Sequence, residues 1–311
     1  MTIERKKIAE AIGFLKLGKR IDSAIVKDYW QFYGIDFSQT MEGVSQTIGF
    51  DSSGKFDVCC QVFTPLKTEA TCFVIHGYLD HTGLYGHLIK KLLELSYTVV
   101  TIDLPGHGLS SGARADIDTF FNYEVELQSV LNHCSSLPRP WHGIGQSTGC
   151  SVLLLSLIKS PANNFEKTVL FAPLIRPNYW LKGKILQPIV SLFKDEWPRF
   201  FSPNSHDVEF LSFVENIDSF QSRVLPFSWL KAMRYWVRWI LKQKRIDADM
   251  LVIQGGEDAT VDGEFNISAL EKRVSNIQVS HHSEARHHLV NESTEIRELL
   301  FADMARFLKP N

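Results

Sequence analysis

The run Gly145-Gln146-Ser147-Thr148-Gly149 sets a serine between two glycines at the junction of two sequence patterns. WHGIGQ (141–146) reads as a buried strand and TGCSVLLLSLIK (148–159) as a helix, which predicts a sharp turn with Ser147 at its apex. Glycines on either side permit the close approach such a turn requires, and the turn exposes the hydroxyl. The first N–H groups of the helix would then face the negative charge that develops on an attacked carbonyl. A serine hydroxyl is a poor nucleophile until a base takes its proton, and that base needs a carboxylate to fix its tautomer. Asp258, just after DMLVIQGG (249–256), and His287, ahead of the last helical segment, supply both in the chain order serine, acid, histidine.

Other residues compete for these roles. Glu257 and Asp262 are neighbouring carboxylates, and Asp262 can equally cap the helix that follows it. HHSEARHH offers His281, His282, His287 and His288; the first two fall at a strand end, which leaves His287 as the base and His288 next. A metal site in this octapeptide is disfavoured, because it lacks the spacing that puts two imidazoles on one helical face. For an oxyanion, the backbone N–H of Tyr78, just after His76-Gly77, pairs with that of Thr148, and the Tyr78 ring reads as pocket wall.

These residues need a scaffold that brings three distant segments to one edge. Apolar runs near 44–51 and 56–64 predict an antiparallel pair. Further short, β-branched runs at 71–77, 97–106, 141–146, 167–173, 249–256 and 276–282 predict buried strands. Helix-period segments at 84–95, 116–136, 148–160, 263–273 and 293–308 alternate with them, which implies a mostly parallel sheet with helices on both faces. Sites on such sheets lie at the carboxyl ends of the strands.

One stretch interrupts the alternation, so the chain divides into a core at 1–173 with a leading helical segment, an insertion at 174–247 and a returning core at 248–311. The insertion reads as helical and aromatic. It carries Trp180, Trp197, Trp229, Trp236 and Trp239 with Phe193, Phe200, Phe201, Phe210, Phe213, Phe220 and Phe227. As a lid over the sheet edge it would bring some of these to a pocket, while most would form the lid's own small core.

Composition narrows the functional class. With 44% apolar and 22% charged residues and a formal charge of -2, the chain has an ordinary globular balance and no basic excess for nucleic acid. Neither a signal-peptide h-region nor an apolar run of roughly 18 residues is present, which predicts a cytoplasmic protein with at most peripheral membrane contact, near Lys242-Gln243-Lys244-Arg245. Cys59, Cys60, Cys72, Cys134 and Cys150 contain no C-x-x-C pair and lie mostly in apolar runs, so neither a disulfide framework nor a zinc site is expected.

The chain resembles the α/β-hydrolase superfamily, in its monoacylglycerol lipase-like and bacterial lysophospholipase-like branch, from about residue 45 onward. The resemblance rests on HGYLDHTGLYGHL (76–88), DLPGHGLSSG (103–112), GQSTG (145–149), GGEDATV (255–261) and ARHHLVNE (285–292), with FSPNSHDVEFLSFVENIDSF (201–220) similar to the bacterial lid. It implies an α/β-hydrolase fold with a helical lid ahead of the acid-bearing strand. It assigns Ser147 as nucleophile, Asp258 as acid, His287 as base, and Tyr78 and Thr148 as oxyanion donors. His81, Asp103 and His107 match structural positions of the motifs, and His288 departs from a frequent glutamate. The implied activity is cofactor-free hydrolysis of a small, lipid-like carboxylic ester. A serine aminopeptidase or thioesterase with the same triad, and a non-catalytic ligand-binding relative, are the alternatives.

Overall fold

The computed structural model describes residues 4–19, 21–160, 165–178, 180 and 195–309; Phe193 of the insertion lies outside them. In chain order the strands are β1 (Ser45–Asp51), β2 (Val58–Thr64), β3 (Ala70–Ile75), β4 (Tyr97–Ile102), β5 (Trp141–Gln146), β6 (Lys167–Phe171), β7 (Glu196–Pro198), β8 (Val224–Pro226), β9 (Ile246–Gly255) and β10 (Val274–His282). Eight of them form one sheet in the order β1-β2-β4-β3-β5-β6-β9-β10. β1 and β2 join antiparallel, and β2 joins β4 antiparallel. Every pairing from β4 across to β10 is parallel.

The central strands are rich in apolar residues because both faces are covered: every residue of β3, β4, β5 and β6 is buried. On one face, the helices Phe120–His133, Thr148–Lys159 and Gly263–Glu271 close a cluster built around Phe120, Leu127, Val152 and Leu270. On the other, Gly86–Glu94 and Thr294–Leu308 close a second cluster around Leu88, Leu92, Leu300 and Met304. The leading segment adds Val26, Tyr29 and Trp30 from the helix Ala24–Phe32 to that second cluster. Because β3, β5, β6, β9 and β10 run the same way, their carboxyl ends at Ile75, Gln146, Phe171, Gly255 and His282 share one edge.

The insertion differs from the all-helical reading. It contains a two-stranded antiparallel ribbon of β7 and β8 beside the helices Val208–Asn216 and Phe227–Ile240. Strands of three residues, EWP and VLP, are too short to show a period, which is why the pattern missed them. The tryptophans also depart from expectation. Trp229, Trp236, Met233 and Ile240 form the apolar stripe of Phe227–Ile240 and join the same cluster as the sheet-covering helices. Trp236 stacks on Phe120 at 6.2 Å and Trp239 meets Phe121 edge-on at 5.2 Å. These rings therefore extend the main core instead of forming a separate one. Among the described residues no helix is long and apolar enough to cross a membrane.

Candidate active site

A single residue separates β5 from the helix Thr148–Lys159, so Ser147 alone makes the turn, at φ +52° and ψ -109°. A non-glycine residue at positive φ costs about 1–2 kcal/mol, and the surroundings hold it there. Its N–H donates to the Phe171 carbonyl at 2.9 Å, and its own carbonyl accepts from Cys150 N at 3.1 Å and Leu174 N at 3.2 Å. The glycines are required by contact. A Cβ on Gly149 would lie 2.0 Å from the Ile75 carbonyl oxygen, and one on Gly145 2.7 Å from Cys150 N.

Around this turn the structure gathers the expected partners. His287 Nε2 lies 3.1 Å from Ser147 Oγ, and His287 Nδ1 lies 2.8 Å from Asp258 Oδ2. With Nδ1–H donated to the carboxylate, Nε2 presents its lone pair to the serine hydroxyl. Asp258 is held by further donors: Gln254 Nε2 at 3.0 Å on Oδ2, and Thr260 N at 2.8 Å and Val261 N at 3.1 Å on Oδ1. Burial pushes its carboxyl up, but His287 and the two backbone donors outweigh that and hold it below the ordinary value. It is an anion at neutral pH.

The loop bearing His287 is fixed on both sides. Its carbonyl accepts from Gln146 Nε2 at 2.9 Å, and the fully buried Glu292 accepts from Arg286 N at 2.7 Å and His206 N at 2.9 Å. Gly255 and Gly256 let the acid loop and the histidine loop touch, because a Cβ there would lie 2.3 Å from Ala285 O and 2.4 Å from Ser283 O.

The competing residues lie elsewhere. Glu257 pairs with Arg286 and His206, each at 3.4 Å. Asp262 caps the helix Gly263–Glu271 through Phe265 N and binds Arg176. His281 and His282 belong to β10, where His282 meets Asp303 at 3.0 Å. His288 turns to Asp80, whose two carboxylate oxygens lie 3.2 Å from its Nε2.

The loop after β3 packs directly on Ser147, since a Cβ on Gly77 would come within 3.5 Å of Ser147 Cβ. Gly77 N donates to the Tyr85 hydroxyl at 2.9 Å, which in turn donates to Asp80 at 2.9 Å. His76 Nε2 accepts from Leu104 N at 2.8 Å, so its Nδ1–H donates to Gly77 O at 2.7 Å. Among the described residues the N–H groups of Tyr78 and Thr148 have no hydrogen-bond acceptor, and both residues line the cavity at Ser147. The Tyr78 ring stacks on Trp229 at 3.6 Å and its hydroxyl donates to Ala115 O at 2.7 Å.

The remaining motif residues hold these loops in place. Asp103 accepts from Thr82 N and Leu109 N, both at 2.8 Å. Burial drives the His107 imidazole down to about 3, so it stays neutral. His81 binds Asp218 of the insertion at 3.0 Å with both side chains fully buried, and Tyr33 donates to the same carboxylate at 2.8 Å.

A cavity of about 520 Å³ opens onto Ser147 and His287. Its far wall comes from the insertion, where Phe210, Val214, Leu225, Trp229 and Met233 make it largely apolar. Motif reasoning missed three of its polar parts: Gln254 behind Asp258, the tie from Asp80 to His288, and Arg199 in the wall. Gln254 and Arg199 belong to no motif, and although Asp80 and His288 lie within the quoted motifs, their contact joins segments 208 residues apart that no spacing rule links.

A mostly parallel sheet with helices on both faces and a serine at a strand-to-helix turn defines an α/β-hydrolase. The family model described as serine aminopeptidase, S33, matches residues 67–294. The chain belongs to that family, in its monoacylglycerol lipase-like part. It is 32% identical to the monoglyceride lipase of Homo sapiens over 125 residues, which span 38% of this chain and only 40% of that enzyme. The monoglyceride lipase homolog of Monkeypox virus is 24% identical over 278 residues, covering 81% of this chain and 94% of that one. Among solved structures, a soluble variant of the Saccharomyces cerevisiae monoglyceride lipase shares the fold with a TM-score of 0.73 at 16% identity, over 84% of this chain and 94% of that one.

Proposed function

We propose that this protein is a serine hydrolase of carboxylic esters with an apolar acyl portion, and that residues 174–247 form its lid. Ser147 is the nucleophile, His287 the base and Asp258 the residue that orients and charges the imidazole. Tyr78 and Thr148 supply the two N–H groups for the oxyanion. As Ser147 Oγ attacks the carbonyl carbon, its proton passes to His287 Nε2; collapse of the tetrahedral intermediate breaks the ester C–O bond, and the alcohol leaves with that proton. Water then repeats the sequence on the acyl-enzyme, releasing the carboxylic acid and restoring the hydroxyl. The observation that carries this reading is the 3.1 Å and 2.8 Å hydrogen-bond relay of Ser147, His287 and Asp258 at the mouth of an apolar cavity.

Several relatives named monoglyceride lipase support an ester substrate. An aminopeptidase would need a carboxylate for the substrate amine. Of the insertion acids Asp195, Glu196, Asp207, Glu209, Glu215 and Asp218, Glu215 reaches the cavity wall, but it is exposed, whereas Asp218 is engaged by His81. The ester reading is therefore preferred. Its test is hydrolysis of p-nitrophenyl esters from short to long acyl chains beside an aminoacyl p-nitroanilide. Turnover that rises with acyl length and is absent on the anilide supports it; the reverse preference overturns it.

A further inference from the structure

The wall facing Ser147 is apolar except for a few groups, and one of them is a cation. Arg199 follows β7, and its backbone N–H donates to Arg223 O at 2.9 Å, continuing the ribbon. Its guanidinium carbon sits over the Phe201 ring, 4.2 Å from the centroid. Nη1 donates to Gln221 Oε1 and to Ser222 O, while Nε and Nη2 make no hydrogen bond among the described residues. Gln221 Nε2 donates in turn to Asp218 at 2.7 Å, which binds His81 at 3.0 Å, so a polar chain ties Arg199 to the loop beside Ser147.

No carboxylate pairs with this guanidinium. Every Asp and Glu of the chain lies within the described residues, so no undescribed segment can supply one. The acids nearest in function are committed: Asp218 to His81, Tyr33 and Gln221, and Asp80 to His288 and Tyr85. Glu215, on the same wall, is exposed and therefore screened by water. Burial lowers the Arg199 guanidinium to about 10 and Arg223 adds to the shift, while Asp80 and Asp218 oppose it from beyond ion-pair distance, so it remains charged at neutral pH. A partly buried, fixed cation with donors unused among the described residues is a poor neighbour for a purely apolar substrate and a good one for an anion, above all an oxyanion that accepts two N–H bonds.

We propose that Arg199 binds a phosphate carried by the substrate, so that the preferred ester is a phosphate-bearing lysolipid and not a neutral monoacylglycerol. This rests on the ester-hydrolase reading above. Arg199 acts here as a specificity residue and takes no part in bond making.

The test compares kcat/KM for a 1-acylglycerol 3-phosphate and the matching 1-acylglycerol, with an acyl chain short enough to stay monomeric, in wild type, Arg199→Gln and Arg199→Lys. Wild type should prefer the phosphate ester. Arg199→Gln should lower kcat/KM on the phosphate ester by about 30-fold, at least tenfold more than on the neutral ester, as expected for loss of a charge-assisted pair. Arg199→Lys should recover part of that loss. Equal losses on both esters would show that Arg199 only braces the ribbon, and a wild type without preference would overturn the proposal outright. Inhibition of neutral-ester cleavage by inorganic phosphate, without any gain from a phosphate on the ester, would reassign the cation to a free anion and overturn it as well. A fluorophosphonate labelling rate taken in parallel separates the two readings: a wild type that neither labels nor cleaves any ester defeats the hydrolase itself, whereas normal labelling with no charge preference defeats only the role of Arg199.

Discussion

The cavity has two walls that are held by different means. On the sheet side, Ser147 is fixed by backbone hydrogen bonds to Phe171 and Leu174, and Asp258 by two backbone N–H groups. The Ser147 bonds run to Phe171 at the end of β6 and to Leu174 just after it, while the Asp258 bonds stay within its own loop after β9. On the insertion side, polar ties carry the contact: Asp218 to His81, Glu292 to His206, and the Asn204 carbonyl to His288 N at 2.8 Å. The helix Phe227–Ile240 adds an apolar anchor through Trp229 and Trp236. In the function proposed above, the chemistry belongs to the sheet side and substrate choice to an insertion joined to it by buried polar ties and an apolar helix.

The sharpest break in that contrast comes from the sheet side. Asp258→Asn keeps the shape but loses the charge that fixes the His287 tautomer, so kcat on an ester should fall by about 10⁴-fold with little change in melting temperature. A fall of less than about tenfold would mean that Asp258 is only a loop brace. On the insertion side, Trp236→Ala removes a side chain that is 1% exposed and should cost about 3–5 kcal/mol by urea denaturation. A loss under about 1 kcal/mol would show that the insertion folds apart from the core.

Asp218→Asn tests the polar ties. It strips the charge from a pair buried with His81 and should destabilise by about 3 kcal/mol, raising KM more than it lowers kcat. A selective drop in kcat would instead place the pair within the catalytic relay. At neutral pH, where the other variants are compared, the smallest effect belongs to the buried histidines, which act only as the pH falls. Burial lowers His142 from 6.5 to about 4 and His107 from 6.5 to about 3, so the folded protein keeps both neutral where the unfolded chain takes up protons. Below pH 6.5 the unfolded state therefore binds more protons, and stability should fall as pH drops from there toward 4, each histidine contributing on the order of 1 kcal/mol per pH unit. His142→Asn should flatten that slope; an unchanged slope would show that His142 does not contribute to it.

The same contrast explains what could be read from the residues alone. Ser147, Asp258 and His287 follow strand ends, and strand ends are marked by apolar runs closed with Gly, Pro or polar residues, so their shared edge follows from topology. The glycines of GQSTG and GGEDATV announce close approach, and the structure shows what approaches: Ile75 O in one case, Ala285 O and Ser283 O in the other. The insertion was less legible. Its long helix shows an apolar stripe, but a stripe does not name its partner, and the tryptophans joined Phe120 and Phe121. Ribbon strands of three residues leave no period, and Arg199 belongs to no motif. Its significance lies in the missing carboxylate, which only three-dimensional proximity reveals.

The central claim is that Ser147 forms the acyl-enzyme. Intact-mass and peptide analysis after treatment with a fluorophosphonate, on wild type and Ser147→Ala, tests it most directly. The account predicts a single adduct on the peptide containing Ser147, loss of ester turnover in step with labelling, and neither adduct nor turnover in a folded Ser147→Ala protein. An adduct on another residue, or ester turnover that persists in Ser147→Ala, would contradict it.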